Sequence, residues 1–85
     1  MPRIVVYSGP NCPFCTRAKM LLQKKGAAFE EINVRSDPAK LEEMKAKSGG
    51  KQSIPQIFID DRHIGGCDDL YALDARGGLD PLLAP

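Results

Sequence analysis

The chain alternates between strand-like and helix-like patterns of apolar side chains. Residues 3–8 form a run rich in β-branched side chains, which predicts a strand. From residue 13 to residue 25 the apolar side chains recur at helical spacing, and Gly26 is suited to end that helix. Residues 29–34 carry apolar side chains at period two and predict a second strand. The first part of the chain therefore reads as a strand, a helix and a strand.

The rest of the chain predicts two more helices and a hairpin. Asp37 and the proline after it suit the N-cap and the first position of a second helix, which ends at the glycine pair 49–50. Residues 56–60 and 62–64 lie on either side of a tight polar turn, which is typical of a β-hairpin. A third helix is predicted over residues 68–76, because leucines recur there at helical spacing between glycine pairs.

These elements form a βαβ unit followed by a ββα unit. We expect a four-stranded mixed sheet, with the first two strands parallel through a right-handed crossover and the last two antiparallel. Three helices would flank the sheet, and the leucine-containing tail over residues 79–83 would add a last helical turn. The prediction is an α/β protein with a thioredoxin-like fold, and the length suits a single domain, residues 1–85.

Composition narrows the classes of function. Apolar residues make up 42% of the chain and charged residues 27%, which is typical of a globular protein. The net charge of +1 gives no overall attraction to nucleic acid or acidic lipid, and no apolar stretch approaches the length of a membrane span. Three cysteines, two of them in a C-x-x-C pair, favour a catalytic pair in a reducing compartment. We therefore expect a cytoplasmic monomer that binds neither nucleic acid nor membrane.

The segment Cys12-Pro13-Phe14-Cys15 lies between the first strand and the first helix. Pro13 fits the first helical position, so Cys12 falls at the N-cap, where N–H groups without intrahelical acceptors favour a thiolate. Cys15 follows three residues later, within reach of a disulfide with Cys12. Cysteines in this setting have pKa values of roughly 3.5–7.5. Cys12 is therefore predicted to be the nucleophile, and Cys15 the more buried resolving thiol.

A structural zinc site is the alternative use of these cysteines, with the ligand set Cys12, Cys15, His63 and Cys67. His63 lies in a predicted hairpin strand and Cys67 follows two glycines, so nothing in the sequence brings the four side chains together. A single histidine on a hairpin is more often a solvated surface residue. We therefore expect no metal site.

Two further segments allow more than one interpretation. An ordinary X-Pro bond is cis only about 5–6% of the time, so composition favours a trans bond between Ile54 and Pro55. The glycines at 65–66 permit close backbone approach and could open an anion site at the third helix. Asp68 and Asp69, however, are also ordinary residues for a first helical turn.

Over essentially its full length the chain resembles the dithiol (class I) glutaredoxins, most closely bacterial members of the third type. Three motifs carry the resemblance in the family's order: residues 12–15, Ser53-Ile54-Pro55, and residues 65–70. The segments 55–59 and 72–83 match as well. The resemblance implies a glutathione-dependent thiol–disulfide oxidoreductase that reduces protein–glutathione mixed disulfides and protein disulfides. Glutathione would be the co-substrate, and ribonucleotide reductase is a protein substrate only at the level of the family.

The resemblance also implies where glutathione binds. Pro55 would be cis and face the cysteine pair, and the backbone of Ile54 would pair with the cysteinyl part of the tripeptide. The N-terminus of the third helix would hold the γ-glutamyl carboxylate, with an aspartate near the ammonium group. A basic or amide side chain ahead of Ser53 would meet the glycyl carboxylate. The residues expected at this site are Phe14, Lys51, Gln52, Ser53, Ile54, Pro55, Gly66, Cys67, Asp68 and Asp69.

Two positions depart from the pattern of the family. Gly9 stands where the family usually has a lysine, so one positive charge near Cys12 is missing, unless Lys51 and Arg17 compensate. Phe14 replaces the usual tyrosine, which keeps the ring over the sulfur and removes the hydroxyl. Neither change alters the sulfur chemistry.

Two other functions remain as alternatives. An iron–sulfur cluster carrier would ligate a cluster through Cys12 and glutathione, but Pro13 stiffens the motif and Cys15 competes for Cys12. A thioredoxin-like reductase would use the same cysteine pair without glutathione. Dependence of turnover on glutathione distinguishes these classes.

Overall fold

The computed structural model describes residues 2–84, and its elements follow the predicted order. The strands are β1 (Ile4–Ser8), β2 (Glu30–Asn33), β3 (Gln56–Ile59) and β4 (Arg62–Gly65). The helices are α1 (Pro13–Lys24), α2 (Pro38–Lys47), α3 (Cys67–Ala75) and α4 (Leu79–Leu83). The predicted α/β class and the βαβ and ββα units are confirmed.

The four strands form one mixed sheet in the order β2-β1-β3-β4. β1 and β2 are parallel and joined through α1, whereas β3 pairs antiparallel with both β1 and β4. The hairpin between β3 and β4 has a two-residue turn, Asp60-Asp61, and both residues have positive φ angles, 50° and 65°. Such a turn matches the twist of the paired strands, and aspartate tolerates this conformation better than most residues.

The core has two layers, one on each face of the sheet. Ile4 and Val6 of β1 pack with buried side chains of α1 and α3, whereas Val5 and Tyr7 pack with Met44 of α2. All five residues of β1 are buried. A central strand covered on both faces carries a continuous apolar run, which explains why β1 does not alternate.

The structure differs from the predicted element boundaries by a few residues. β2 covers only Glu30–Asn33, because it is an edge strand with partly polar faces. α3 begins at Cys67, one residue earlier than predicted. The tail forms a fourth, five-residue helix, where we predicted three helices and a last helical turn, and its Leu79 is fully buried against the core. No helix within residues 2–84 combines the length and apolar character needed to cross a membrane.

Candidate active site

The first cysteine caps the N-terminus of α1. Cys12 has an extended backbone, its carbonyl accepts the first helical hydrogen bond from Thr16 N at 3.1 Å, and its sulfur accepts from Cys15 N at 3.1 Å. Pro13 occupies the first helical turn and has no N–H to satisfy. The sulfur therefore lies where the positive end of the helix dipole favours an anion, as predicted.

The two cysteines of the pair differ in exposure. They form a disulfide, with Cα atoms 5.2 Å apart, which lies within the usual range for such a bond. Cys12 is partly exposed, whereas Cys15 is 1% exposed. An attacking sulfur must reach a bulky disulfide, so only Cys12 can meet an incoming substrate without movement of the helix.

The segment before β3 lies opposite the sulfur of Cys12. The Ile54-Pro55 peptide bond is cis, so the prediction from composition is wrong and the one from the family resemblance is confirmed. The carbonyl oxygen of Ile54 lies 3.9 Å from Cys12 Sγ. Pro55 is buried beside this contact. The backbone of residue 54 thus faces the position where a bound thiol would meet Cys12.

A cavity of about 250 Å³ opens between this segment and α3. Nine of the ten residues that the resemblance implies line it, and Gln52 is the exception, because its exposed side chain lies outside. Half-exposed Phe14 closes the end nearest the cysteine pair. The full lining is Phe14, Lys51, Ser53, Ile54, Pro55, Gln56, His63, Gly65, Gly66, Cys67, Asp68 and Asp69.

Sequence reasoning missed two residues of this lining, Gln56 and His63, whereas Gly65 belongs to the glycine pair expected at the start of the third helix. Gln56 looks like an ordinary strand residue. His63 is exposed, as expected for a histidine on a hairpin, but its position beside the cavity was not predicted. The predicted hairpin could have indicated both residues, because β4 pairs with β3 and this pairing places His63 next to the cavity wall.

The N-terminus of α3 forms the far wall of the cavity. Gly66 is the N-cap, and its N–H donates to the Asp69 carboxylate at 3.0 Å. Asp69 is therefore a capping residue, whereas the carboxylate of Asp68 makes no hydrogen bond or ion pair within residues 2–84. The first-turn interpretation therefore holds for Asp69, and the anion site beside Asp68 stays a prediction. Lys51 adds a positive charge at the cavity edge.

The third cysteine is the first residue of α3. Cys67 is 4% exposed, and burial raises the pKa of its thiol, although Arg17 acts in the opposite direction. It is not bonded to another cysteine. His63 pairs with Gln56, and no group of three metal-binding side chains occurs in the described part of the chain. The four residues of the proposed zinc set are thus not brought together as ligands.

A second, larger cleft of about 640 Å³ is lined by Cys12 itself, whereas the first cavity is lined by its neighbours Phe14 and Ile54. Its polar floor is the Glu31 carboxylate, which accepts from Ser8 Oγ at 2.6 Å and Lys19 Nζ at 2.9 Å. The hydrogen bond from Ser8 and the ammonium of Lys19 lower the pKa of Glu31. Lys19 therefore pairs with Glu31, and the guanidinium of Arg17 lies 5.5 Å from the centre of the Tyr71 ring. Each of these two positive charges thus has another partner than Cys12.

Gly9 lines the same cleft, and neighbouring side chains leave no room for a side chain at this position. A Cβ at this position would lie 2.5 Å from Cγ of Arg35 and 3.0 Å from Cδ1 of Ile54. The stem of Arg35 thus covers the backbone of Gly9. A longer side chain here requires Arg35 to move, a contact that spans 26 residues and that the sequence does not reveal.

Comparisons with known proteins agree with this geometry. The family model described as Glutaredoxin matches residues 4–64. Glutaredoxin 3 of Escherichia coli strain K12 is 58% identical over 83 residues, which cover 98% of this chain and 99% of that protein.

Solved glutaredoxin structures also superpose on the chain. The solution structure of glutaredoxin from Brucella melitensis has 51% identity and a TM-score of 0.82, with 95% of this chain and 87% of that chain covered. The crystal structure of a buckwheat glutaredoxin–glutathione complex has 31% identity and a TM-score of 0.85, with 94% and 74% covered. The match in sequence, fold and cysteine pair leads to one conclusion: the chain belongs to the glutaredoxin family of thiol–disulfide oxidoreductases.

Proposed function

We propose that this protein uses glutathione to reduce protein–glutathione mixed disulfides and protein disulfides, with Cys12 as nucleophile and Cys15 as resolving thiol. The observation that carries the proposal is the partly exposed Cys12 sulfur at the α1 N-terminus, 3.9 Å from the carbonyl oxygen of Ile54, which lines a cavity with peptide-like and charged walls. The buckwheat relative, whose structure is that of a glutathione complex, supports glutathione as the ligand of that cavity.

The cavity offers a partner for each part of glutathione. The backbone of Ile54 would pair with the cysteinyl residue and hold its sulfur beside Cys12. The backbone N–H groups at the start of α3 would bind the γ-glutamyl carboxylate, and the carboxylate of Asp68 would bind the ammonium group. Lys51 would bind the glycyl carboxylate at the opposite edge. Gln52, which lies outside the cavity, is the weaker candidate for that contact.

The reduction of a mixed disulfide requires Cys12 alone. Its thiolate attacks the glutathione sulfur, the disulfide between glutathione and the protein breaks, and the protein leaves as a thiolate that takes up a proton. A second glutathione thiolate then attacks the glutathione sulfur on Cys12, which releases glutathione disulfide and the Cys12 thiolate. The α1 N-terminus stabilises that thiolate both as nucleophile and as leaving group.

The reduction of a protein disulfide also requires Cys15. Cys12 attacks one sulfur of the substrate and releases the other as a thiolate. The buried Cys15 thiolate then attacks Cys12, which frees the second substrate sulfur and leaves the Cys12–Cys15 disulfide seen in the structure. Two glutathione molecules reduce this disulfide and leave as glutathione disulfide.

The biological setting of the reaction is part of the proposal. A reducing compartment such as the cytoplasm supplies the glutathione that the cycle consumes. Ribonucleotide reductase is a protein substrate to test, since it is a substrate at the level of the family. We propose that the chain acts as a monomer, since each step uses residues of one chain.

The test is the dependence of turnover on glutathione. With a glutathionylated peptide as substrate, we expect turnover in the presence of reduced glutathione and its regenerating system, and little with a thioredoxin-reducing flavoenzyme. Cys15→Ser should retain reduction of the mixed disulfide and lose reduction of a protein disulfide. Equal turnover without glutathione would favour the thioredoxin-like alternative, and visible absorption after anaerobic reconstitution with iron and sulfide would favour the cluster carrier.

A further inference from the structure

Gln56 is a buried polar side chain at the start of β3, and its amide has a fixed orientation. It is 3% exposed. Its Nε2 donates to the carbonyl oxygen of Ser53 at 3.0 Å and lies 3.2 Å from the Ser53 hydroxyl. A carbonyl oxygen can only accept, so the nitrogen of the amide must face Ser53 and Oε1 must face the other way.

The oxygen of that amide meets His63 of β4. The distance between Gln56 Oε1 and His63 Nε2 is 2.7 Å. Since Oε1 accepts, Nε2 of His63 must carry the hydrogen, which is true of one neutral tautomer and of the charged ring. The ring also packs on Phe58, its partner across the hairpin, with centroids 4.9 Å apart.

The chain of hydrogen bonds from His63 through Gln56 ends in the wall of the glutathione cavity. Ser53 belongs to a segment without helix or strand, and Ile54 O lies 3.9 Å from Cys12 Sγ. Apart from that contact, the two hydrogen bonds from Gln56 are the only side-chain hydrogen bonds to residues 52–55 in the described part of the chain. His63 itself lines the cavity at its outer edge.

We propose that His63 is a positioning residue for the glutathione site. By donating to Gln56 it orients the amide that holds Ser53, and this arrangement fixes the backbone of Ile54 before glutathione binds. A segment that is already ordered loses less conformational entropy on binding, so the network strengthens the binding of the mixed disulfide without taking part in sulfur chemistry. The proposal rests on the proposed use of glutathione.

Three substitutions of His63 separate the hydrogen bond from the ring. In His63→Gln the amide nitrogen can occupy the place of Nε2, so the donor is kept and the ring is lost. In His63→Asn the shorter side chain reaches only the place of Nδ1, so both are lost. His63→Phe keeps a ring against Phe58 and has no donor. Arg62→Gln, on the neighbouring exposed position, is the control for a change of β4 outside the network.

Kinetics with a glutathionylated peptide give the first measurement. We expect His63→Phe and His63→Asn to raise KM roughly threefold to tenfold, as loss of one oriented hydrogen bond would, with kcat within about twofold. His63→Gln should restore KM to within about twofold of the unmodified protein, and Arg62→Gln should leave it unchanged. An unchanged KM in His63→Phe, or failure of His63→Gln to restore it, would overturn the proposal.

The second measurement needs no glutathione and keeps the two proposals distinguishable. In ¹H–¹⁵N spectra of the full chain, His63 should show the tautomer with hydrogen on Nε2. The Ser53 and Ile54 amide signals should shift or broaden in His63→Phe and His63→Asn, and should stay in place in His63→Gln. If these signals do not respond, the positioning role fails even where turnover depends on glutathione. If they respond but turnover is independent of glutathione, the proposed function fails and the network stands.

Discussion

The N-termini of α1 and α3 lie at the same site, and the residues around them favour ligands of different charge. In α1 the first turn holds no acidic residue, and the N–H of Cys15 donates to the sulfur of Cys12. In α3 the first turn holds Asp68 and Asp69, and the N-cap is a glycine without a side chain. The α1 end presents a sulfur that becomes an anion once the Cys12–Cys15 disulfide is reduced, whereas the α3 end has backbone N–H groups next to two carboxylates.

The difference shows what each terminus can bind. A thiolate needs positive potential and no nearby negative charge, which is the condition at α1. A carboxylate ligand alone would be repelled by the acids of α3, but the γ-glutamyl end of glutathione carries both a carboxylate and an ammonium group. N–H groups beside Asp68 suit that pair of charges. Thus α1 is suited to one anion, and α3 to a zwitterion.

Removal of the anion at α1 should give the largest effect. Cys12→Ser replaces the thiolate by a hydroxyl that does not ionise near neutral pH, so both reactions should fall by roughly 10³-fold or more, to the uncatalysed rate. The measurement is steady-state turnover of a glutathionylated peptide and of a protein disulfide. Cys67→Ser, at the other helix N-terminus, is the matched comparison: α3 is proposed to bind glutathione through backbone N–H groups, which this substitution keeps, so both activities should stay far above those of Cys12→Ser. Robust turnover by Cys12→Ser would contradict the assignment of the nucleophile.

The two aspartates of α3 should separate ligand binding from capping. Asp68→Ala removes a carboxylate with no partner in the described structure, so we expect a KM for glutathione about tenfold higher and only the small loss of stability, a few tenths of a kcal/mol, that one exposed first-turn acid contributes. Asp69→Ala removes the acceptor of the Gly66 N–H, so we expect a loss of about 1 kcal/mol in stability and a smaller change in KM.

Both variants are compared by the same two measurements, glutathione-dependent kinetics and urea unfolding. The reverse ranking, with Asp69→Ala the more damaging to KM and Asp68→Ala to stability, would exchange the roles of the two side chains. If both variants changed KM and stability equally, the two carboxylates would not have separate roles in binding and capping.

The α1 end of this comparison could be predicted from sequence, because its features are local. Proline after Cys12 and the helical spacing that follows place the sulfur at the N-cap whatever the rest of the fold does. The βαβ and ββα units were equally accessible, since β-branched runs and turn residues determine them. Both depend on neighbours within a few positions along the chain, whereas the strand order β2-β1-β3-β4 depends on the pairing of β1 with the distant β3.

The α3 end was only partly predictable, because its chemistry depends on contacts between distant segments. Asp69 accepts from the Gly66 N–H and Asp68 does not, because adjacent side chains of a helix point in different directions. The pairing of His63 with Gln56 depends on the register of the hairpin. Likewise, the stem of Arg35 over Gly9 follows from the packing of two loops, not from either segment alone.

An acidic residue added to the first turn of α1 should give its N-terminus a negative side chain, as the N-terminus of α3 has. Thr16 lines the cleft beside Cys12, and its hydroxyl donates to the Cys12 carbonyl at 3.3 Å. In Thr16→Asp the negative charge would raise the pKa of Cys12 by about half a unit, the usual scale for one charge at a helix end. Thr16→Asn has nearly the same shape without the charge and should leave the pKa unchanged.

The measurement is the pH dependence of alkylation of Cys12 in a background of Cys15→Ser and Cys67→Ser. A shift of equal size in Thr16→Asn would mean that the lost hydroxyl, and not the charge, is responsible. In that case the absence of acids from the first turn of α1 would have no electrostatic meaning.

The smallest expected effect concerns the ion pair beside the N-terminus of α1, a kind of pair that the N-terminus of α3 lacks within residues 2–84. The pKa of Glu31 is lowered by its hydrogen bond from Ser8 and by Lys19, so the carboxylate stabilises the fold above its ordinary pKa and this contribution disappears as pH falls through the lowered value. In Glu31→Gln we expect a loss of less than about 1 kcal/mol at neutral pH, because Lys19 and Glu31 are 27% and 42% exposed. The loss should vanish in acid.

The same substitution sharpens the comparison of the two termini, because it frees Lys19 beside Cys12. The pKa of Cys12 should then fall by less than Thr16→Asp raises it, since the lysine is solvated and screened by salt. Urea unfolding across a series of pH values measures the effect on stability, and alkylation of Cys12 measures the effect on its pKa.

Glu30→Gln is the control, because Glu30 makes only a longer, 3.5 Å pair with Arg3 and lies outside the cleft. A stability loss independent of pH would show that Glu31 acts through packing, and a Cys12 pKa that does not move would show that the α1 N-terminus alone, without Lys19, determines the charge of the sulfur.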